Sequence, residues 1–139
     1  MSIKREQGKD IDRANDIPYS LDVIHRGIRS AEVNIATFED AIKREREDIG
    51  KFRWMIEMLN SGNSEKIKQV PYTNDALEGG IKTAEDHIVT FETSIETEKE
   101  QITQFKWMIE VLEKKQERKE EIRIQLEKQK LEEDIAETT

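Results

Sequence analysis

The segment IHRGIRSAEVNIATFEDAI, residues 24–42, places apolar side chains at steps of four and three residues. This heptad spacing is typical of a helix that packs along another helix, because a period of 3.5 residues keeps the apolar side chains in one seam. The seam continues through Ile49, Phe52, Ile56 and Leu59, with Glu45 in place of one apolar residue. The pattern therefore predicts one long α-helix rather than a β-strand.

The same pattern returns 53 residues later in the chain. Residues 77–95 read LEGGIKTAEDHIVTFETSI, and FRWMIEML at 52–59 returns as FKWMIEVL at 105–112. Aligned without a gap, residues 17–59 and 70–112 are identical at about half of their positions, and every aromatic residue of the chain has a counterpart at this offset. We interpret the two stretches as a tandem repeat of one helical unit.

The repeat divides the chain into five predicted segments and fixes how its helices run. A helix of about 40 residues is roughly 60 Å long, and the linker between the repeats is too short to bring the chain back to the same end. We therefore predict an all-α fold, an elongated antiparallel helical hairpin that forms a coiled-coil or helical-bundle oligomer. The segments are a flexible N-terminal segment (1–16), helical repeat 1 (17–59), a linker (60–69), helical repeat 2 (70–112) and a charged helical tail (113–139).

Composition narrows the class of protein. Of 139 residues, 39% are charged and 35% hydrophobic, which suits a helical protein with a narrow apolar seam better than one with a deep globular core. The absence of cysteine excludes disulfides and thiolate chemistry. No apolar run is long enough for a membrane span, and the first 16 residues do not resemble a signal peptide, so we expect a soluble, cytoplasmic protein.

Two Trp-Met pairs occupy outer heptad positions. With Ile28 at position a, each tryptophan falls at f and each methionine at g, where a two-helix seam does not need them. They form either a second core face of a larger bundle or a partner-binding surface. The repeated Pro-Tyr dipeptides are either docking elements or helix entries that pack on the bundle end. The candidate interface residues are Trp54, Met55, Trp107, Met108, Tyr19 and Tyr72.

Glu45 and Glu98 interrupt the seam at equivalent d positions. A polar residue in a seam can fix register and oligomer state, and we predict this register-setting role for both acids. A catalytic role is disfavoured because no nucleophile or histidine accompanies them in the sequence pattern. His25 and His87 do not share a repeat position and lack ligand spacing, so we predict surface histidines, no metal site and no cofactor.

Charge is shared unequally between the repeats. Residues 20–59 carry eight acids and seven bases, whereas residues 73–112 carry nine acids and three bases, in a chain of net charge −8. This balance disfavours direct nucleic-acid binding, although the basic run KREREDIGKFR at 43–53 leaves it open. Glu92, Glu96 and Glu100 form a candidate acidic face for a basic protein partner.

These patterns favour a non-enzymatic helical interaction or scaffold protein that self-associates through the heptad seams and the Trp-Met faces. The alternative is a small acidic inhibitor or sequestering protein of the phage or plasmid type, which blocks a basic site on a host protein. In the tail, Ile124, Leu131 and Ile135 resume a weak seam. That segment is either an arm for self-association or a solvated helix.

Overall fold

The computed structural model describes residues 13–137, and they form helices joined by short turns, with no strand among them. A short 3₁₀ helix, Arg13–Asp16, precedes α1, Leu21–Leu59. The five-residue α2, Ser64–Lys68, then leads to α3, Asn74–Glu137. The two long helices, α1 and α3, pack together, which confirms the predicted all-α helix pair. Most of the predicted flexible segment 1–16 and the last two residues of the tail lie outside the described residues.

Hydroxyl side chains cap the starts of both long helices. Oγ of Ser20 accepts a hydrogen bond from the backbone N–H of Val23 at 3.3 Å. Oγ1 of Thr73, 53 residues later, accepts one from the N–H of Ala76 at 3.1 Å. Each cap satisfies an amide that the first helical turn leaves without an intrahelical partner, and so fixes where the helix begins.

The segment between α1 and α3 contains a helix of its own. Gly62 has a positive φ of 75°, a conformation open to glycine that turns the chain after α1. Asn63 then caps α2, because its Oδ1 accepts hydrogen bonds from the N–H groups of Glu65 and Lys66. The predicted linker 60–69 is therefore partly helical, and a single asparagine cap explains why.

The chain folds as two compact units, of which residues 29–101 form one. Within this unit α1 and α3 run antiparallel, since Asn34 contacts Glu98 while Asn60, the residue after α1, contacts Asn74 at the start of α3. The rings of Phe38 and Phe91 stack with their centroids 6.1 Å apart. The buried apolar residues are Ala31, Ile42, Ile49, Met58, Leu77, Ala84 and Ile95.

The other unit combines residues 13–28 with residues 102–137. The helices are antiparallel here too, since Asn15 contacts Lys115 and Gly27 faces Phe105. Lys115 lies one turn after Val111, which is 1% exposed, and its Nζ donates a hydrogen bond to Oδ1 of Asn15 in the 3₁₀ segment. The buried apolar residues of this unit are Ala14, Ile24, Ile28 and Val111.

Candidate interaction surfaces

The two acids that interrupt the seam each have a polar partner on the opposite helix. Oε1 of Glu98 accepts a hydrogen bond from Nδ2 of Asn34 at 3.2 Å. Oε1 of Glu45 lies 3.1 Å from Nδ1 of His87. Both acids are half-buried, where an acid without a partner is unfavourable. Each acid therefore has a polar contact within its own chain.

These partners were not anticipated from the sequence. His87 was expected to be a surface histidine, and its ring is indeed 54% exposed, but its Nδ1 contacts Glu45. Asn34 and His87 lie 53 residues apart, as do Glu45 and Glu98. The repeat alignment pairs Asn34 with His87 at position g beside the seam, which marks two equivalent polar positions but not the acids that they contact.

Glycine makes room for phenylalanine in each unit. A methyl group added at Gly80 would lie 3.1 Å from Cε2 of Phe52, in the unit formed by residues 29–101. One added at Gly27 would lie 2.8 Å from Cε2 of Phe105, in the other unit. Ordinary carbon–carbon contacts are about 3.5–4.0 Å. These two glycines therefore allow close approach of an aromatic ring to the helix backbone.

The candidate acidic face is partly neutralised within the chain. Glu92 lies 4.0 Å from Arg46 on α1, and Glu96 lies 3.8 Å from Lys99 on its own helix. Glu100 is exposed. An open groove of about 530 Å³ runs beside Glu92 over Ile42 and is lined by both acids and bases. This edge of the unit thus presents mixed charge rather than a uniformly acidic surface.

The two Trp-Met pairs have different surroundings. Trp54 is 56% exposed, whereas Trp107 is half-buried, as are both methionines, Met55 and Met108. Trp54 belongs to the unit formed by residues 29–101 and Trp107 to the other unit. Each tryptophan lies one turn before a buried residue on the outer face of its helix, Met58 or Val111.

The repeated tyrosines remain accessible. Tyr19 is 46% exposed and Tyr72 is 52% exposed. Tyr19 lines a shallow groove at the start of α1 together with Leu112, Lys115 and Lys119 of α3. The groove combines an aromatic ring, aliphatic carbon and two lysine side chains.

The C-terminal part of α3 carries exposed apolar side chains. Every described residue from 116 to 137 is exposed. Arg123 pairs with Glu120 and, at 2.7 Å, with Glu127. The hydrogen bond from Arg123 holds the pKa of the Glu120 carboxyl below its ordinary value. The exposed apolar residues are Ile122, Ile124, Leu126, Leu131 and Ile135.

The described part of the chain carries neither a metal site nor a membrane span. Among residues 13–137 no group of three or more His, Cys, Asp or Glu side chains is placed to hold a metal ion. Within the same range no helix combines the length and the apolar character that crossing a membrane requires. Comparisons of the chain with protein-family models, curated proteins and solved structures return no match.

Proposed function

We propose that this protein is a non-enzymatic helical interaction protein that assembles with copies of itself. The heptad seams are occupied within the chain, since Ile28, Ile42 and Ile95 are buried between its own helices. Self-association therefore uses surfaces outside the seams. The observation that carries the proposal is the 56% exposure of Trp54, because a large aromatic side chain in water favours a contact that buries it.

The surroundings of Trp54 support a helix-sized contact. Gly50 precedes it by one turn, and a methyl group added there would have no atom within 4 Å, so the backbone beside the tryptophan is open. Met55 adds a half-buried thioether to this surface. An exposed glycine within a helix costs about 1 kcal/mol relative to alanine. A second helix that crosses α1 at Gly50 would use the open backbone and bury the indole ring.

The alternative, an acidic inhibitor of a basic protein, has weaker support. Two of its three proposed contact acids lie near bases, Glu92 near Arg46 and Glu96 near Lys99. A basic partner would have to compete with these exposed pairs, each of which contributes little on its own. The test is whether a basic protein binds the chain and no longer binds when Glu92, Glu96 and Glu100 are replaced by glutamine. Loss of that binding with unchanged self-association would favour the alternative.

Single-tryptophan chains test the proposal. Trp107→Phe leaves Trp54 as the only indole, and its fluorescence should shift to shorter wavelength as protein concentration rises and the interface forms. The matched control is Trp54→Phe, which leaves the half-buried Trp107 as reporter. Trp54→Arg should lower the mass measured by light scattering, whereas Val33→Arg, at another exposed outer position of α1, should not. The proposal would be overturned if the Trp54 spectrum does not change with protein concentration and the mass is the same in Trp54→Arg.

A further inference from the structure

We infer that the C-terminal part of α3 pairs antiparallel with the same segment of a second copy, an inference that rests on the proposed self-association and names one surface for it. In the segment before α1, Asn15 contacts Lys115 of α3. Beyond Lys115, from residue 116 to residue 137, every side chain is exposed. An unsupported helix of about 20 residues is marginal in water, so a packing partner would stabilise this segment.

One face of this segment is complementary to the same face of a second copy. Its side chains follow each other at steps of four and three residues, the spacing of a helix seam. A base occupies its first part, two exposed aliphatic side chains its middle, and an acid its end. The stripe consists of Lys119, Ile122, Leu126, Gln129 and Glu133.

The charge pattern selects the antiparallel arrangement. If Ile122 packs against Leu126 of the second copy, the two-fold axis also brings Lys119 opposite Gln129 of that copy, one helical turn from its Glu133. A parallel pair in register would place Lys119 beside Lys119 and Glu133 beside Glu133, and like charges at close range are unfavourable. The two identical surfaces thus fit each other only when the helices run in opposite directions.

The other apolar stripe of the tail is less suited to self-pairing. Leu131 lies almost on the opposite side of the helix from Leu126, because five residues advance about 500° around the axis. Acids flank Leu131, with Glu127 one turn before it and Asp134 nearly one turn after it. Two copies of that face would bring acids together. The ion pairs of Arg123 with Glu120 and Glu127 also lie toward that side.

Two leucines of equal exposure give a matched test of the surface. Leu126 is 60% exposed and Leu131 is 61% exposed. Leu126→Lys removes an aliphatic side chain from both halves of the interface and should weaken self-association roughly 100-fold, as measured by sedimentation equilibrium. Leu131→Lys should leave self-association unchanged. Equal effects of the two substitutions would overturn the inference, and circular dichroism confirms that both variants keep their helix content.

Cysteine cross-linking tests the direction of the helices, since the chain has no cysteine of its own. In the antiparallel pair Lys119 faces Gln129 of the second copy, so a mixture of Lys119→Cys and Gln129→Cys chains should form the mixed disulfide. Each variant alone should form little, because equivalent positions are then separated by ten residues, roughly 15 Å along the helix. Lys128→Cys, on the far side of the helix, serves as the unreactive control.

The outcomes separate this inference from the broader proposal. A disulfide between two Lys119→Cys chains would indicate parallel helices and overturn the inference. The inference would also be overturned if the chain dimerises, forms no cross-link and keeps its affinity in Leu126→Lys. Self-association through the Trp54 surface would then stand. A chain that remains a monomer at every concentration would overturn both.

Discussion

Asn34 donates a hydrogen bond to Glu98 across the helix pair at 3.2 Å, and Nδ1 of His87 lies 3.1 Å from Oε1 of Glu45. We expect this relationship to specify the register of the two helices. A shift of one heptad would bring Glu98 beside Gly27 or Ala41, whose side chains have no donor. A half-buried acid would then lose its partner. The register-setting role of Glu45 and Glu98 stays a prediction, for which the bridge between Asn34 and Glu98 gives a physical reason.

Replacing both acids should raise stability and weaken register. In Glu45→Leu/Glu98→Leu, two aliphatic side chains enter the seam, while the exposed Asn34 and His87 can be hydrated instead. We expect a higher Tm, because each half-buried leucine contributes roughly 1 kcal/mol. Glu45→Gln/Glu98→Gln keeps an acceptor at both positions and serves as the control. A lower Tm for the leucine variant would show that the bridges stabilise more than apolar contact does.

Neighbouring glycines should respond differently to alanine. Gly79→Ala places a methyl group in open space and should stabilise the chain by about 1 kcal/mol through helix propensity. Gly80→Ala brings a methyl group to 3.1 Å from Phe52, so it should be roughly 1 kcal/mol less stable than Gly79→Ala. Urea unfolding at one protein concentration measures the difference. Equal stabilisation by both substitutions would contradict the tight contact.

Gly27→Ala should be the least favourable of the glycine substitutions. Its methyl group would lie only 2.8 Å from Phe105, closer than the 3.1 Å at Gly80. Because the ring must move, we expect net destabilisation on the order of 1 kcal/mol. Gly50→Ala, with open space around it, is the control in the same helix. The prediction fails if Gly27→Ala unfolds at the same urea concentration as Gly50→Ala.

The stacked rings of Phe38 and Phe91 should be energetically coupled. Their centroids are 6.1 Å apart with an interplanar angle of 28°, a geometry worth about 0.5–1.5 kcal/mol beyond apolar burial. A double-mutant cycle with Phe38→Leu and Phe91→Leu should return a coupling energy in that range. A cycle of Phe38→Leu with Phe105→Leu, which belongs to the other unit, should be additive. Additivity in the first cycle would refute the coupling.

Lowering the pH should weaken the ion pair of Arg123 with Glu120 and so destabilise the helix of the tail. The pKa of Glu120 is lowered by its hydrogen bond to Arg123, so this pair favours the helix above the ordinary pKa of a glutamate. The contribution is lost as pH falls through the lowered pKa. Arg123→Gln should return the pKa of Glu120 toward its ordinary value in a carboxyl NMR titration, and Arg118→Gln should not. An unchanged titration in Arg123→Gln would contradict the pairing.

The sequence predicted the features that follow from heptad periodicity. The seam residues Ile24, Ile28 and Leu77 are buried, because a 3.5-residue period can face a neighbouring helix in only one way. The caps at Ser20 and Thr73 follow from residue type, because serine and threonine are favoured at the N-cap of a helix. Local spacing and capping chemistry were sufficient for these features.

Contacts that depend on several segments were harder to predict. The contact of Lys115 with Asn15 joins α3 to the 3₁₀ segment, whose position no heptad pattern encodes. The different exposures of Trp54 and Trp107 could not be predicted either, since the two positions have nearly identical local sequences. Tertiary surroundings, rather than the repeated motif, decide how accessible each tryptophan is.

The most direct test of the account is the mass of the unmodified full chain in solution. Sedimentation equilibrium across the micromolar range should give at least twice the 16.3 kDa of one chain, because the apolar surfaces at Trp54 and along the tail remain exposed in a single copy. The apparent mass should fall toward that of one chain on dilution. A constant mass of 16.3 kDa at every concentration would contradict self-association.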